Sequence, residues 1–227
     1  MDDLLWYLEI TLDYIKQMLP CMAIAAGCFL ALLHHRRRGL YRRGLQSGVV
    51  REIGLLVFVL FCAGLAALTV FPSNFWTVSH WQEAFQGLRP FFPITPLSES
   101  VQYIGLTPTL FRGDRLGAWG FYMVLANALI FVPIGFFANL LWRKPRWWKG
   151  LAVGFCVSLT IEFLQLFVNR STDVDDLILN TTGAFLGGMI ALLLGKLAPK
   201  LTRKFQVEVR HGRETGDPKP APGAGAG

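Results

Sequence analysis

Apolar residues in this chain gather into five blocks, at residues 18–33, 53–71, 119–141, 151–168 and about 177–195. A helix needs about 20 mostly apolar residues to cross the hydrocarbon core of a bilayer. Inside hydrocarbon the backbone must also satisfy its own hydrogen bonds. The blocks therefore predict an all-α, polytopic bundle of five transmembrane spans. The first block is the shortest and needs a turn borrowed from the residues before it. The block at 53–71 carries no charge, and the one at 151–168 is interrupted by Glu162. Of the 227 residues, 53% are hydrophobic and only 16% charged, where a soluble domain has about 25% charged residues. That balance argues against a water-soluble enzyme and excludes disorder for most of the chain.

Lysine and arginine near span ends set orientation. Six lie between the first two spans (Arg36, Arg37, Arg38, Arg42, Arg43, Arg51), four between spans three and four, and seven after span five. The other side holds five: Lys16, Arg89, Arg112, Arg115 and Arg170. The spacing predicts an N-terminus outside and a cytoplasmic C-terminus. The net charge of +7 is then a topology signal, and the run HHRRRGLYRR contacts anionic lipid rather than nucleic acid. Trp6, Trp76, Trp81 and Trp119 flank the expected outer ends, and Trp142, Trp147 and Trp148 an inner end, as in an interfacial aromatic belt.

Three segments follow. Residues 1–51 hold an outer segment, the first span and a basic loop. Residues 52–195 form the main membrane domain, with an outer loop at 72–117, and 196–227 form a basic, disordered cytoplasmic tail. The acidic start does not read as a signal peptide. Leu4, Leu8, Leu12 and Ile15 have helical spacing leading into span one. Five prolines in the outer loop argue against one long helix there, but Trp81, Phe85 and Leu88 suit a short interfacial helix.

An ionisable residue inside a span costs on the order of 2.5–3.5 kcal/mol even on insertion scales, so Glu162 is a candidate functional group. Ser158, Glu162, Gln165 and Asn169 share one helical face. On span five, Asp176, Asn180, Gly183 and Gly187 share another, polar toward the outer end and small toward the inner. Small residues four apart let helices approach closely. Span three adds Asn127 and Pro133 in NALIFVPIGFF, with Gly135 beside them. At 1.5 Å per residue, Gln165 and Asn180 lie roughly 5 Å below the outer boundary, and Glu162 and Asn127 roughly 10–13 Å. The connection NRSTDVDD holds Arg170, Asp173, Asp175 and Asp176. Glu162, Gln165, Arg170, Asp173, Asp176, Asn180 and Asn127 are thus expected to converge on an outward-facing polar pocket. Pro133, Gly135, Gly183 and Gly187 are expected to serve helix packing.

Cys21, Cys28, Cys62 and Cys156 fall within spans and behave as small hydrophobes. His34, His35, His80 and His211 are scattered. That pattern offers no Ser-His-Asp or Cys-His arrangement, no zinc-ligand spacing and no phosphate-cradling loop. No catalytic residue, metal or cofactor is assigned.

The order Glu162-x-x-Gln165, Arg170-x-x-Asp173-x-Asp175-Asp176, Asn180-x-x-Gly183-x-x-x-Gly187 resembles the signature of the VanZ-like family of bacterial membrane proteins. Asn127-x-x-x-Phe131-x-Pro133-x-Gly135 is similar to that family's second motif. The resemblance covers about residues 50–195 and makes the first span an addition to a four-span core. In place of the Asn-Leu-Ile-Pro-Phe-like stretch often found in the outer loop of such proteins, this chain has FFPITPL. The resemblance implies a multi-pass protein of the bacterial cell membrane, linked to resistance to the glycopeptide teicoplanin. Its implied partners are the bilayer and a lipid-linked cell-wall intermediate or a glycopeptide.

Three function classes stay open. One is an envelope factor whose pocket binds a lipid-linked or lipid-anchored ligand and lowers glycopeptide susceptibility. Another is an enzyme using Glu162 and Asp176 as an acid/base pair or as oxygen ligands for a divalent ion. The third is a small transporter in which Glu162 carries a proton.

Overall fold

The computed structural model of the protein describes residues 2–72, 74–100, 104–105, 118–142, 144–168 and 172–209. In chain order, α1 (Asp2–Arg42) leads through β1 (Leu45–Gln46) to α2 (Val49–Thr69). The loop between α2 and the next long helix contains α3 (Val78–Phe85), α4 (Leu97–Ser100) and β2 (Ile104–Gly105). Then come α5 (Ala118–Leu140), α6 (Trp147–Gln165), β3 (Thr172–Asp173) and α7 (Val174–Leu197). The chain closes on α8 (Pro199–Arg203) and β4 (Glu208–Val209). Each apolar block falls mainly within one of the helices α1, α2, α5, α6 and α7, and the molecule is a membrane helical bundle. Among the described residues, α1, α2, α6 and α7 are long and apolar enough to cross a membrane, and Val124–Leu140 is the apolar part of α5.

Central to the bundle is α7, which packs most extensively on α5 and next on α6. Its sequence explains why. Cβ atoms on Gly183 and Gly187 would lie inside the van der Waals shells of the Ala128 and Val132 carbonyls, and one on Gly135 inside that of Ala184. From α6, Gly150 makes a similar approach to the Ala184 carbonyl, at 2.8 Å from a built Cβ, and Gly154 leaves room for the Ala184 methyl. Backbone contact of this kind supplies the dispersion energy that holds helices together in lipid, where no hydrophobic drive exists between them. The packing role expected of Gly135, Gly183 and Gly187 fits these contacts. Pro133 lies within α5, which continues helical through it. Around this seam Leu65, Phe131, Ile134, Ile161 and Ala184 form the buried core.

The first span is not a short helix with a borrowed turn. It is one helix of 41 residues, roughly 60 Å long, ending where Gly44 takes a positive φ of 66°. The helix docks on α2 at both ends. Toward one, the Gln17 amide donates to the Ala67 carbonyl at 2.9 Å, and Met18 and Met22 pack over Gly64. Toward the other, the Arg36 guanidinium donates to the buried Glu52 carboxylate. Glu52 lies in the entering turn of α2, directly before the uncharged block.

The tail expected to be disordered from residue 196 is ordered as far as Val209. β4 pairs antiparallel with β1, Leu45 opposite Val209, and the Phe205 ring covers Gly54, where a Cβ would come within 2.9 Å of it. The end of α1, the start of α2 and the chain after α7 therefore share one end of the bundle. The backbone pairing has no signature in the tail's basic composition. Residues 210–227 lie outside the described residues.

At the other end, the loop between α2 and α5 has an aromatic centre. Phe75 is buried, with ring centroids 4.9 Å from both Phe71 and Trp76. The interfacial helix expected over Trp81, Phe85 and Leu88 forms as α3 and stops before Leu88, where Gly87 takes a φ of 74°. Beside it His80, only 3% exposed, accepts at Nδ1 from Arg89 at 3.3 Å and donates from Nε2 to the Phe91 carbonyl at 3.1 Å.

Candidate functional site

The helix carrying the site starts at Asp173, whose carboxylate accepts from the Asp175 N–H at 3.1 Å as an N-cap. Asp175 and Asp176 follow in the first turn, and Lys196 stands in the last. Both placements complement the helix dipole. From that first turn Asp176 accepts the Asn127 amide of α5 at 2.6 Å. One turn deeper, the Asn180 amide donates to Ser158 of α6 at 3.0 Å. Both α5 and α6 thus meet α7 through its polar face, as the spacing of Asp176 and Asn180 predicts.

Glu162 faces the same place from α6 and is 5% exposed. The Asp173 backbone N–H donates to its carboxylate, and the Asp176 and Asp173 carboxylates lie within electrostatic reach. Three carboxyl groups thus gather where the end of α6 meets the start of α7, each with a hydrogen-bond donor beside it. In a closed, low-dielectric bundle such an arrangement is costly unless protons, cations or donors compensate it.

Not every expected member joins. Gln165 turns toward α2 and donates to the Thr69 carbonyl at 3.1 Å. Three residues beyond Glu162, it is rotated about 60° around the helix, which is the difference between facing α7 and facing α2. Arg170 and Asn169 lie outside the described residues. The arrangement also differs from a direct clamp of Glu162 and Gln165 on Asn180 and Asn127, since the two asparagines bond Ser158 and Asp176 instead.

The loop between α2 and α5 reaches the site, which sequence spacing does not reveal. β2 pairs in parallel with β3, Gly105 opposite Asp173, and a Cβ on Gly105 would sit 3.4 Å from the Asp173 carboxylate. Within FFPITPL, the Thr95 N–H donates to the Phe167 carbonyl at 2.9 Å, tying that stretch to the end of α6. Beside Glu162, an apolar cleft of 290 Å³ between α2, α5 and α6 is lined by Cys62, Leu65, Ile134, Cys156, Ile161 and Leu164. Its wall includes Ile161, the residue next to the carboxylate.

Comparisons with known proteins bear on the same helices. The family described as VanZ/LLP1 matches residues 58–195, which contain α5, α6, all but the last two residues of α7 and every candidate site residue. A curated relative, the protein VanZ of Enterococcus faecium, is 33% identical over 85 residues, 37% of this chain and 49% of the relative. The chain spans about half the length of the curated relative it matches. No solved structure matches the chain.

Proposed function

The chain belongs to the VanZ/LLP1 family, and on that premise we propose that it is a multi-pass factor of the bacterial cell membrane that lowers susceptibility to teicoplanin-type glycopeptides. In this reading the cluster of Glu162, Asp173, Asp176, Asn127 and Asn180 holds the polar head of a lipid-linked or lipid-anchored ligand, with Arg170 at its mouth. The N-terminus is outside and the C-terminus cytoplasmic, so the cluster faces outward. The main membrane domain is residues 52–195, with 1–51 added before it.

One observation carries the reading: buried Glu162 stands beside Asp173 and Asp176 at the outer ends of α6 and α7. Interhelical hydrogen bonds in membranes contribute only about 0.6 kcal/mol on average. A carboxylate cluster is a poor way to gain that amount, since glycine seams already bring the same helices together. Orientation is supported by seventeen of 22 Lys and Arg residues falling on the loops and tail assigned to the cytoplasm. The shared position of the α1 end and the β4 segment agrees with it.

The test is expression in a susceptible Gram-positive host. The inhibitory concentration of teicoplanin should rise more than that of vancomycin. Identical responses to both drugs, at verified expression, contradict the proposal.

A further inference from the structure

At the basic end of the bundle, away from the carboxylates, lies a hollow of 320 Å³ between the ends of α5 and α7 and the turn of α8. Asn139, Lys196, Thr202, Arg203 and Gln206 line it, and among the described residues no Asp or Glu does. Asn139 is 1% exposed. Its Oδ1 accepts from the Arg146 N–H at 3.1 Å, and this fixes which way the carboxamide points, because a flipped amide would set donor against donor. Nδ2 is thereby turned inward and has no hydrogen-bond partner among the described residues. Gly188 makes the space for it: a Cβ there would stand 2.7 Å from Nδ2.

A buried amide donor left without an acceptor costs about 1–3 kcal/mol; Asn139 borders the hollow, so an acceptor seated at its inner end would relieve that cost. Lys196 and Arg203 make that acceptor an anion. Thr202 has already committed its hydroxyl proton to the Ala198 and Pro199 carbonyls, and Gln206 adds an amide. The acid nearest in sequence, Glu208, accepts from Gln46 at 3.1 Å instead. A tetrahedral oxyanion matches this set of an ammonium, a guanidinium and neutral amides converging from different helices. Basic pockets between spans at the cytoplasmic face suit phosphate headgroups on general electrostatic grounds.

We propose that the hollow under Asn139 binds a phosphoryl group, either the headgroup of an anionic phospholipid or free phosphate. It lies near the opposite ends of α5 and α7 from the carboxylate cluster, and its failure or success leaves the proposed outer role untouched.

The experiment measures thermal unfolding of the purified full chain in a neutral detergent. Three additions are compared: phosphatidylglycerol, a diacyl glycolipid lacking phosphate, and inorganic phosphate at matched ionic strength. Phosphatidylglycerol should raise the melting midpoint and the glycolipid should not. A rise with inorganic phosphate as well identifies the phosphoryl group alone as sufficient, and a rise with the phospholipid only assigns the site to a lipid headgroup. Lys196→Gln with Arg203→Gln should weaken the binding on the order of tenfold. Asn139→Asp, which replaces the buried donor with a like charge, should do the same. Arg37→Gln with Arg38→Gln, on an equally exposed basic stretch of α1, should leave it unchanged. The proposal is overturned if neither phosphoryl compound raises the midpoint, which would leave only a water on Nδ2. Equal loss in the Arg37/Arg38 variant would overturn it too, by showing diffuse attraction. Should Asn139→Asp fail to fold, the exposed Lys196/Arg203 pair decides.

Discussion

Asn127 of α5 and Asp176 of α7 are joined by a 2.6 Å hydrogen bond across one end of the bundle, beside the buried carboxylate of Glu162. The two residues are 49 positions apart in the chain and reach each other because Gly183 and Gly187, two and three turns further along α7, let it touch α5 backbone to backbone. Packing and site are therefore separable by mutation, since the glycines set the approach of the helices and the polar groups occupy the end they create.

The packing half gives the first prediction. Gly183→Ala and Gly187→Ala each push a methyl into a carbonyl of α5 and should lower stability by about 1–3 kcal/mol. Gly27→Ala and Gly195→Ala, where a Cβ meets nothing within 4 Å, should melt at or above wild type. The check is thermal unfolding in detergent of all four variants. Equal behaviour would mean that the α5–α7 seam is looser than described.

The docking of α1 gives the second. Arg36→Gln leaves the Glu52 carboxylate, 8% exposed, without its cation. It should cost roughly 1–3 kcal/mol, the usual penalty for orphaning a buried acceptor. Adding Glu52→Gln should recover much of the loss, because two neutral amides can bond each other. A double variant no better than the single one would show that Arg36 acts through its contact with the Phe29 ring.

Orientation gives the third. In a background lacking the four native cysteines, Gln86→Cys in the outer loop should react with an impermeant maleimide on intact cells. Lys200→Cys on α8 should react only after permeabilisation. Both positions are exposed, so accessibility to the reagent reports the side of the membrane. The reverse pattern would put the carboxylate cluster in the cytoplasm and remove the outward-facing role.

Much of this architecture is legible from spacing. Ser158 and Glu162 are four apart and both buried. Polar or small groups repeating every four residues in an apolar run mark the face that a helix turns away from lipid. Asp176, Asn180, Gly183 and Gly187 are legible on the same ground. What spacing does not carry is which neighbour a face meets. Gln165 shows this, since a rotation of about 60° sends it to α2. Glu52 and Gln17 give no such signal because they stand where apolar blocks end, and a polar residue at a boundary is ordinarily solvated. Asn139 gives even less. A single asparagine near the end of an apolar run becomes notable only when the structure shows its amide buried and Gly188 opposite. The ties of the outer loop to Asp173 and Phe167 are non-local backbone bonds, to which side-chain patterns are blind.

The most direct measurement pairs stability with protection for Glu162→Gln, which keeps the side-chain shape and removes the charge, against Leu193→Ala on the exposed face of α7. Both variants should be made in normal amounts and melt close to wild type. In a susceptible Gram-positive host, Leu193→Ala should retain the rise in teicoplanin inhibitory concentration and Glu162→Gln should lose it. If Glu162→Gln protects as well as wild type, or loses protection only in proportion to lost stability, the carboxylate cluster is a structural fastening and not a binding site.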